Sequence, residues 1–228
     1  MPRPKRIVQN TELDQAIKIT AWKQIQELGA AALSLRRIAR ELGIAAPSIY
    51  HYYPNRDALV TALIVDAFNS LAESQRQAIA STPAKDPAAQ LTSLAQGYRA
   101  WAISYPQRYQ LIFGTPIPGY VAPEEVTLPA AAAGFVPLSE ALQAALASGR
   151  LKVERLAPLT PALKSMLEAW QKTEGSSHIE VLYLALVLWS RLHGLMMFET
   201  TGQYPSFVTD PGEVFEREIH HMIAQYLG

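Results

Sequence analysis

SLRRIARELGIAAPSIYHYYPNRDAL, residues 34–59, decides how the chain is read. Ser34 stands as an N-cap before an apolar-periodic stretch and predicts a short helix from about Leu35 to Leu42. That helix stops at Gly43, where a left-handed backbone is easiest without a side chain. A second short helix is predicted from about Ala46 to Tyr53. Pro47 is tolerated there because it lies in the first turn, where its missing N–H has no partner to lose. Ile38, Ala39, Leu42, Ile44 and Ile49 are spaced to form a miniature core, with Ala39 small where the helices cross. Two short helices joined through a Gly-containing turn are the helix-turn-helix plan, in which one helix braces and the second enters a major groove by its N-terminal end.

Outward from this stretch almost every segment has helical periodicity. Thr11 with Asp14 reads as a capping box opening a helix whose stripe is Leu13, Ile17, Ala21, Ile25 and Leu28, stopped by Gly29. Asn55 caps a long helix from Arg56 to about Ala80. Ser81–Pro87, STPAKDP, reads as a linker whose Asp86–Pro87 pair opens a helix reaching Tyr105 before Pro106. Residues 114–129, GTPIPGYVAPEEVTLP, hold four prolines and two glycines and predict an irregular loop. Helices follow at about 130–148, interrupted or kinked near Pro137, and at about 161–173, 177–199 and 211–227. Asp210, Pro211 and Glu213 supply the cap, first-turn proline and dipole-matched acid of the last. No repeat and no strand is evident. The expected fold is all-α, with a helix-turn-helix domain over 1–55 (motif about 34–53) and a larger helical domain over 56–228.

The chain has 228 residues, 49% hydrophobic and 18% charged, which excludes a largely disordered chain. With no cysteine there is no disulfide framework, no Cys-ligated metal and no thiol chemistry. The basic start has no apolar segment behind it, and the longest strongly apolar run, Val181 to Trp189, falls short of the ~18 residues that suggest a membrane span. A soluble cytoplasmic protein with no membrane partner is expected. The net charge of zero conceals a split: residues 1–60 carry nine Lys/Arg and five Asp/Glu, and the remainder carries 11 and 15. A basic head on an acidic body is the electrostatic footprint of a DNA-binding domain joined to something else.

Ile38–Ala39, Leu42–Ile44, Ser48–Tyr53 and Asn55–Leu59 together resemble the N-terminal domain of the TetR family of transcriptional regulators, over residues of about 11–60. Arg56 stands where the family more often has Lys, and Ala45 replaces a frequent Ser or Thr. The resemblance implies that Ser48 faces base edges and that Ala46 and Pro47 offer apolar contact to thymine methyls. Tyr50, His51 and Tyr52 would give ring contacts and hydrogen bonds to bases or phosphates. Arg36 would reach a phosphate or a guanine, and Arg56 a phosphate at the N-terminus of the long helix. Lys5 and Arg6 would form a basic arm along the backbone or minor groove. Core packing is the expectation for Tyr53.

Further along, Trp189, His193 and Gly194 resemble the Trp-His-Gly signature of one C-terminal domain type in this family. Gly194 would let a neighbouring helix approach closely. Trp101, Tyr105, Phe113, Trp170, Trp189, His193 and Met197 are the candidate contacts for a small-molecule effector, since ligand pockets lie between helices and are mostly apolar. The proline-rich loop would flank the entrance. Leu182, Leu186 and Trp189, with Phe215, Ile219, Met222, Ile223 and Tyr226, give apolar faces for an intermolecular four-helix bundle that makes a homodimer.

Enzyme readings find little support. Glu218 and His221 supply half of a helical di-iron pattern without a second copy, Glu124–Glu125 are adjacent acids in a loop, and HExxH, GxGxxG, GxxxxGK and GxSxG are absent. No catalytic residue, metal site or cofactor is expected. The sequence therefore points to a ligand-responsive, DNA-binding homodimeric repressor released from a palindromic operator. The alternatives are a helical ligand-binding or adaptor module whose head no longer reads DNA, and an all-α enzyme.

Overall fold

The computed structural model describes residues 5–80, 82–83, 86–174 and 178–227, with the side chains of 5–10 and 173–174 left out. Its described residues hold ten α-helices and no strand beyond an isolated bridge between Leu151 and Leu227. The helices are α1 (Lys5–Leu28), α2 (Leu35–Glu41), α3 (Ala46–Tyr52), α4 (Arg56–Ala80), α5 (Pro87–Ser104), α6 (Pro106–Phe113), α7 (Glu124–Ala147), α8 (Pro161–Glu174), α9 (Ile179–Thr200) and α10 (Pro211–Tyr226). The chain divides into two compact units, 1–68 with 105–131, and 69–104 with 132–228. The first therefore includes a segment from the middle of the chain that a boundary at residue 55 leaves out.

In the first unit the caps are those the sequence announces. The Ser34 hydroxyl oxygen accepts from the Arg37 N–H at 3.4 Å, and Asn55 Oδ1 accepts from the Ala58 N–H at 2.8 Å. Gly43 has φ 65°, the left-handed conformation its turn requires. Ile17, Ile38, Ile49, Leu59 and Leu63 are fully buried and form the centre of the core, with Leu42 and Ile44 packed at its edge. Tyr53 joins that core. Its hydroxyl donates to Asp14 Oδ1 at 2.5 Å, and burial, then this bond, pushes its pKa up. Lys18 meets both Asp14 (3.5 Å) and Asp66 (2.9 Å), tying α1 to α4.

Three expectations are corrected and one helix is added. Helix α1 begins at Lys5 and not at the Thr11 capping box, because no breaker separates Lys5 from Asn10 and Asp14 is drawn to Tyr53 instead. Leu28, expected on its buried stripe, is 48% exposed. Residues 106–113 form a helix with Pro106 in its first turn, where proline starts a helix as readily as it ends the one before. Helix α7 starts at Glu124 and runs through Pro129 and Pro137, so the irregular loop ends at Pro123 and Glu124–Glu125 are first-turn acids matched to the helix dipole. Of the expected linker, Ser81, Ala84 and Lys85 lie outside the described residues, while Asp86 Oδ1 caps α5 by accepting from the Ala89 N–H at 3.1 Å.

The second unit is a helical body. Gly97 marks a close crossing of α4 and α5, since a Cβ there would stand 2.7 Å from that of Ala78. Helix α9 contributes Val181, Leu182, Leu184, Ala185 and Met196 to the core, all at most 1% exposed. Helix α10 adds Phe215, Ile219, Met222 and Tyr226, the last at 8%. Leu182 and these four residues of α10 are thus spoken for within one protomer and are not available as a dimer face. Arg99 joins α5 to α9 through two hydrogen bonds to Glu199, 2.6 and 3.0 Å, and its guanidinium lies 5.8 Å from the Phe215 ring centroid. Helices α7 and α9 are long and apolar enough to cross a membrane by length and composition, a test that core helices such as α9 also pass.

Candidate nucleic-acid interface and effector region

Helix α3 is built so that one side chain, Ile49, is fully buried while Ala46, Pro47, Ser48, Tyr50 and His51 are exposed. Its N-cap, Ala45, makes no side-chain cap bond, as the replacement of Ser or Thr implies, and the fixed φ of Pro47 in the first turn serves instead. Tyr52 is the exception among the named readers. It is half-buried against the head's core, and its ring meets that of His51 edge-on at 5.9 Å.

On α2 the three arginines divide by direction. Arg37 turns inward along the surface to Glu41 (2.7 Å) and Glu27 (3.2 Å), and its bond to Glu41 holds that carboxyl below its ordinary range. Arg36 is exposed, and so is Arg40 one turn on. Arg40 is absent from the residues named on sequence grounds, although its i+4 spacing from Arg36 places it on the same face. Arg56, expected at a phosphate, donates from Nε to Asp57 Oδ1 at 3.1 Å and from Nη1 to the Ala31 carbonyl at 3.4 Å. It is half-buried and braces the 3-10 turn Ala30–Ala32. Lys5 and Arg6 lie in the first turn of α1 and not in an arm that precedes it, and their side chains are outside the described residues.

A polar clamp that sequence reading misses holds the brace helix. Gln24 is 1% exposed; its Oε1 accepts from the Ser34 N–H at 3.3 Å and its Nε2 donates to Glu41 Oε1 at 3.4 Å. A glutamine three residues after Ala21 and seven after Ile17, on an otherwise apolar stripe, is the available signal.

The candidate effector contacts fall in both units. Tyr105 and Phe113 belong to the first, where Arg108 lies 4.5 Å above the Tyr105 ring and Phe113 meets Phe68 and Tyr109 edge-on. Trp101, Trp170, Trp189, His193 and Met197 belong to the second. Trp101 is buried with its Nε1 donating to Ser70 Oγ at 3.0 Å, and Trp170 packs on Phe135. His193 stacks on Trp189 at 5.4 Å and has its Nδ1 3.3 Å from the Tyr98 hydroxyl. A Cβ built on Gly194 has nothing within 4 Å, so among the described residues no helix of the same protomer approaches there. Glu218 pairs with Arg191, which accounts for the half-pattern it forms with His221.

Burial lowers the His193 pKa, and the free ring in an unfolded chain protonates at about 6.5. As pH falls, the unfolded state therefore binds the proton first. The contribution of His193 to stability is complete above that value and is lost progressively below it. The melting temperature is expected to fall between about pH 7 and pH 5, and to fall less in His193→Gln. Equal losses in both would show that the ring titrates alike folded and unfolded.

The sequence profile of "Bacterial regulatory proteins, tetR family" matches residues 19–63, and that of "Tetracyclin repressor-like, C-terminal domain" matches residues 91–222. The HTH-type transcriptional regulator Rv1816 of Mycobacterium tuberculosis is 31% identical over 221 residues, 96% of this chain and 94% of its own. The crystal structure of the protein SCO4313 superposes with a TM-score of 0.79 at 37% identity, covering 98% of this chain and 100% of that one. The regulator PfmR from Thermus thermophilus shares the fold at 14% identity, with a TM-score of 0.60 over 91% of this chain and 97% of its own.

Proposed function

The chain belongs to the tetR family of bacterial regulatory proteins, and on that premise we propose that it is a homodimeric repressor released from a near-palindromic operator by a small molecule. The observation that carries the reading is α3: a helix with Ile49 as its one fully buried anchor presents Ala46, Pro47 and Ser48 to base edges and Tyr50 and His51 to the flanks. Arg36 and Arg40 supply the phosphate contacts, which position without specifying. Arg56 contributes by bracing the turn beneath them.

Dimerisation uses the outward faces of the last two helices. On α9, Leu186, Ser190, Gly194 and Phe198 follow one another at i+4 and are all exposed, and on α10 Val214, Arg217 and His221 are exposed. Small residues between two apolar ones suit a close crossing with the same helix of a second copy. A two-fold dimer then sets two α3 helices on two half-sites.

The effector binds in the second unit, among Trp101, Trp170, Trp189, His193 and Met197. Gln75, 6% exposed, belongs to the same unit and keeps an Oε1 with no hydrogen-bond partner among the described residues, an acceptor for an effector N–H or O–H. Coupling is reciprocal: an effector that lowers operator affinity ~5–150-fold is itself weakened as much by operator. The protein works in the cytoplasm, without catalysis.

The test is selection of bound duplexes from a random pool, followed by titration of the winner at two salt concentrations. A two-fold-related consensus bound far more tightly than random DNA is expected. Weak binding, indifferent to sequence and removed by salt, would refute the operator-reading function.

A further inference from the structure

The first unit contains a cleft of about 430 Å³ that the effector region does not include. Its walls are the end of α1 with the Ala30–Ala32 turn, one face of α6 from Pro106 to Leu111, and the proline-rich segment Thr115–Pro118. Ile25, Ala30, Leu111 and Ile117 make it apolar, Gln107 and Thr115 give it polar points, and no charged side chain among the described residues lines it. The volume lies within the range of small-molecule sites.

One wall leads directly to the DNA-facing residues. The Ala31 carbonyl in that wall accepts from Arg56 Nη1 (3.4 Å), at the start of the helix that follows α3. Two residues beyond the turn, Ser34 caps α2 and gives its N–H to Gln24. Leu33, between them, is 4% exposed, so the wall does not move alone. The opposite wall is held to α1 by Arg108, whose guanidinium stands 5.5 Å from the Trp22 ring and 4.5 Å from that of Tyr105.

We propose that this cleft is a second small-molecule site, inside the DNA-binding unit, for an uncharged and largely apolar compound carrying one or two hydrogen-bonding groups. An occupant wedges the Ala30–Ala32 turn away from α6, draws the Ala31 carbonyl from Arg56, and displaces the cap of α2. It binds the displaced state more tightly than the DNA-competent one, and so lowers operator affinity by their ratio. The inference rests on the DNA-reading role of α3 but not on any effector in the second unit.

The absence of cysteine from the chain makes the test direct. Gln107→Cys places one thiol at the cleft, and Ser165→Cys places one on an exposed position of α8 as the control. Each variant is treated with methyl or benzyl methanethiosulfonate, two neutral labels of different size. Affinity for a selected operator is measured before labelling, after labelling, and after reduction. At position 107 the benzyl label is expected to weaken operator binding at least ~5-fold, the lower end of allosteric coupling, and the methyl label less, with reduction restoring it. At position 165 neither label acts.

In parallel, the neutral fluorophore N-phenyl-1-naphthylamine is titrated against both labelled proteins. It is expected to lose a saturable site when the benzyl group is at 107 and not when it is at 165. Full operator affinity with the benzyl group at 107, or an unchanged fluorophore site, overturns the proposal. If the unlabelled variants, like the unsubstituted chain, select no operator, the DNA-reading function fails first and this inference with it.

Discussion

Ser48→Glu is expected to abolish operator recognition while leaving the fold intact. Ser48 is exposed and lies in the first turn of α3, where a carboxylate suits the positive end of the helix dipole, so the substitution is neutral or slightly stabilising to the free protein. In the proposed docking on DNA the same carboxylate meets base edges and nearby phosphates, whose charge repels it. The loss should reach the non-specific level, roughly 10³-fold or more. Ser48→Ala has a different signature: base preference changes at one position of each half-site, by about 1–3 kcal/mol, with little effect on random DNA. Anisotropy titrations of operator and random duplex, beside a thermal melt, separate the two. A Ser48→Glu protein that binds operator normally would remove α3 as the reading element.

The second large effect separates core from proposed interface on the last two helices. Phe215 is fully buried beneath Arg99, and Phe215→Ala is expected to destabilise the protomer by about 3–5 kcal/mol, from lost burial and the cavity left behind. Gly194→Leu should do the opposite. A Cβ at position 194 has no described residue of another element within 4 Å, and leucine is the better helix former. It is therefore expected to keep or raise protomer stability and, in the proposed dimer, to force apart the two α9 helices. Sedimentation is expected to show a Gly194→Leu monomer with weakened operator binding. A stable Gly194→Leu dimer would place the interface elsewhere.

The contrast between these two residues shows where sequence reading stops. Apolar spacing on α10 identifies Phe215, Ile219 and Met222 as one face, and the structure keeps them as one face. Periodicity does not say whether the partner of that face is the same protomer or a second one. The exposed stripe on α9 is harder to see because two of its four members, Ser190 and Gly194, are not apolar. In the head, by contrast, α2, α3 and the start of α4 are legible to within a residue. Their limits are set by local chemistry: the Ser34 and Asn55 caps, the left-handed Gly43 and the first-turn Pro47. Proline misleads elsewhere. Pro106 ends one helix and opens the next, while Pro129 and Pro137 are carried by the Ala-rich length of α7. Exposure divides the basic residues in a way that composition does not, sending Arg37 to two glutamates and Arg56 to a backbone carbonyl while leaving Arg40 outward.

Ile117, 9% exposed, belongs to the core of the first unit, and the Tyr120 hydroxyl lies 2.8 Å from Thr61 Oγ1. The ribosome therefore delivers the recognition helix long before it delivers the last pieces of the core beneath it. At about 5–20 residues per second, the stretch from Phe68 to Tyr120 takes roughly 3–10 s to synthesise. Throughout that interval the residues that complete the core of the first unit are not yet made. Packing them in is a non-local step, of the kind that slows folding. A fragment cut at residue 68 repeats this condition permanently, so that the DNA-reading part of the molecule is matured by a segment translated some fifty residues later.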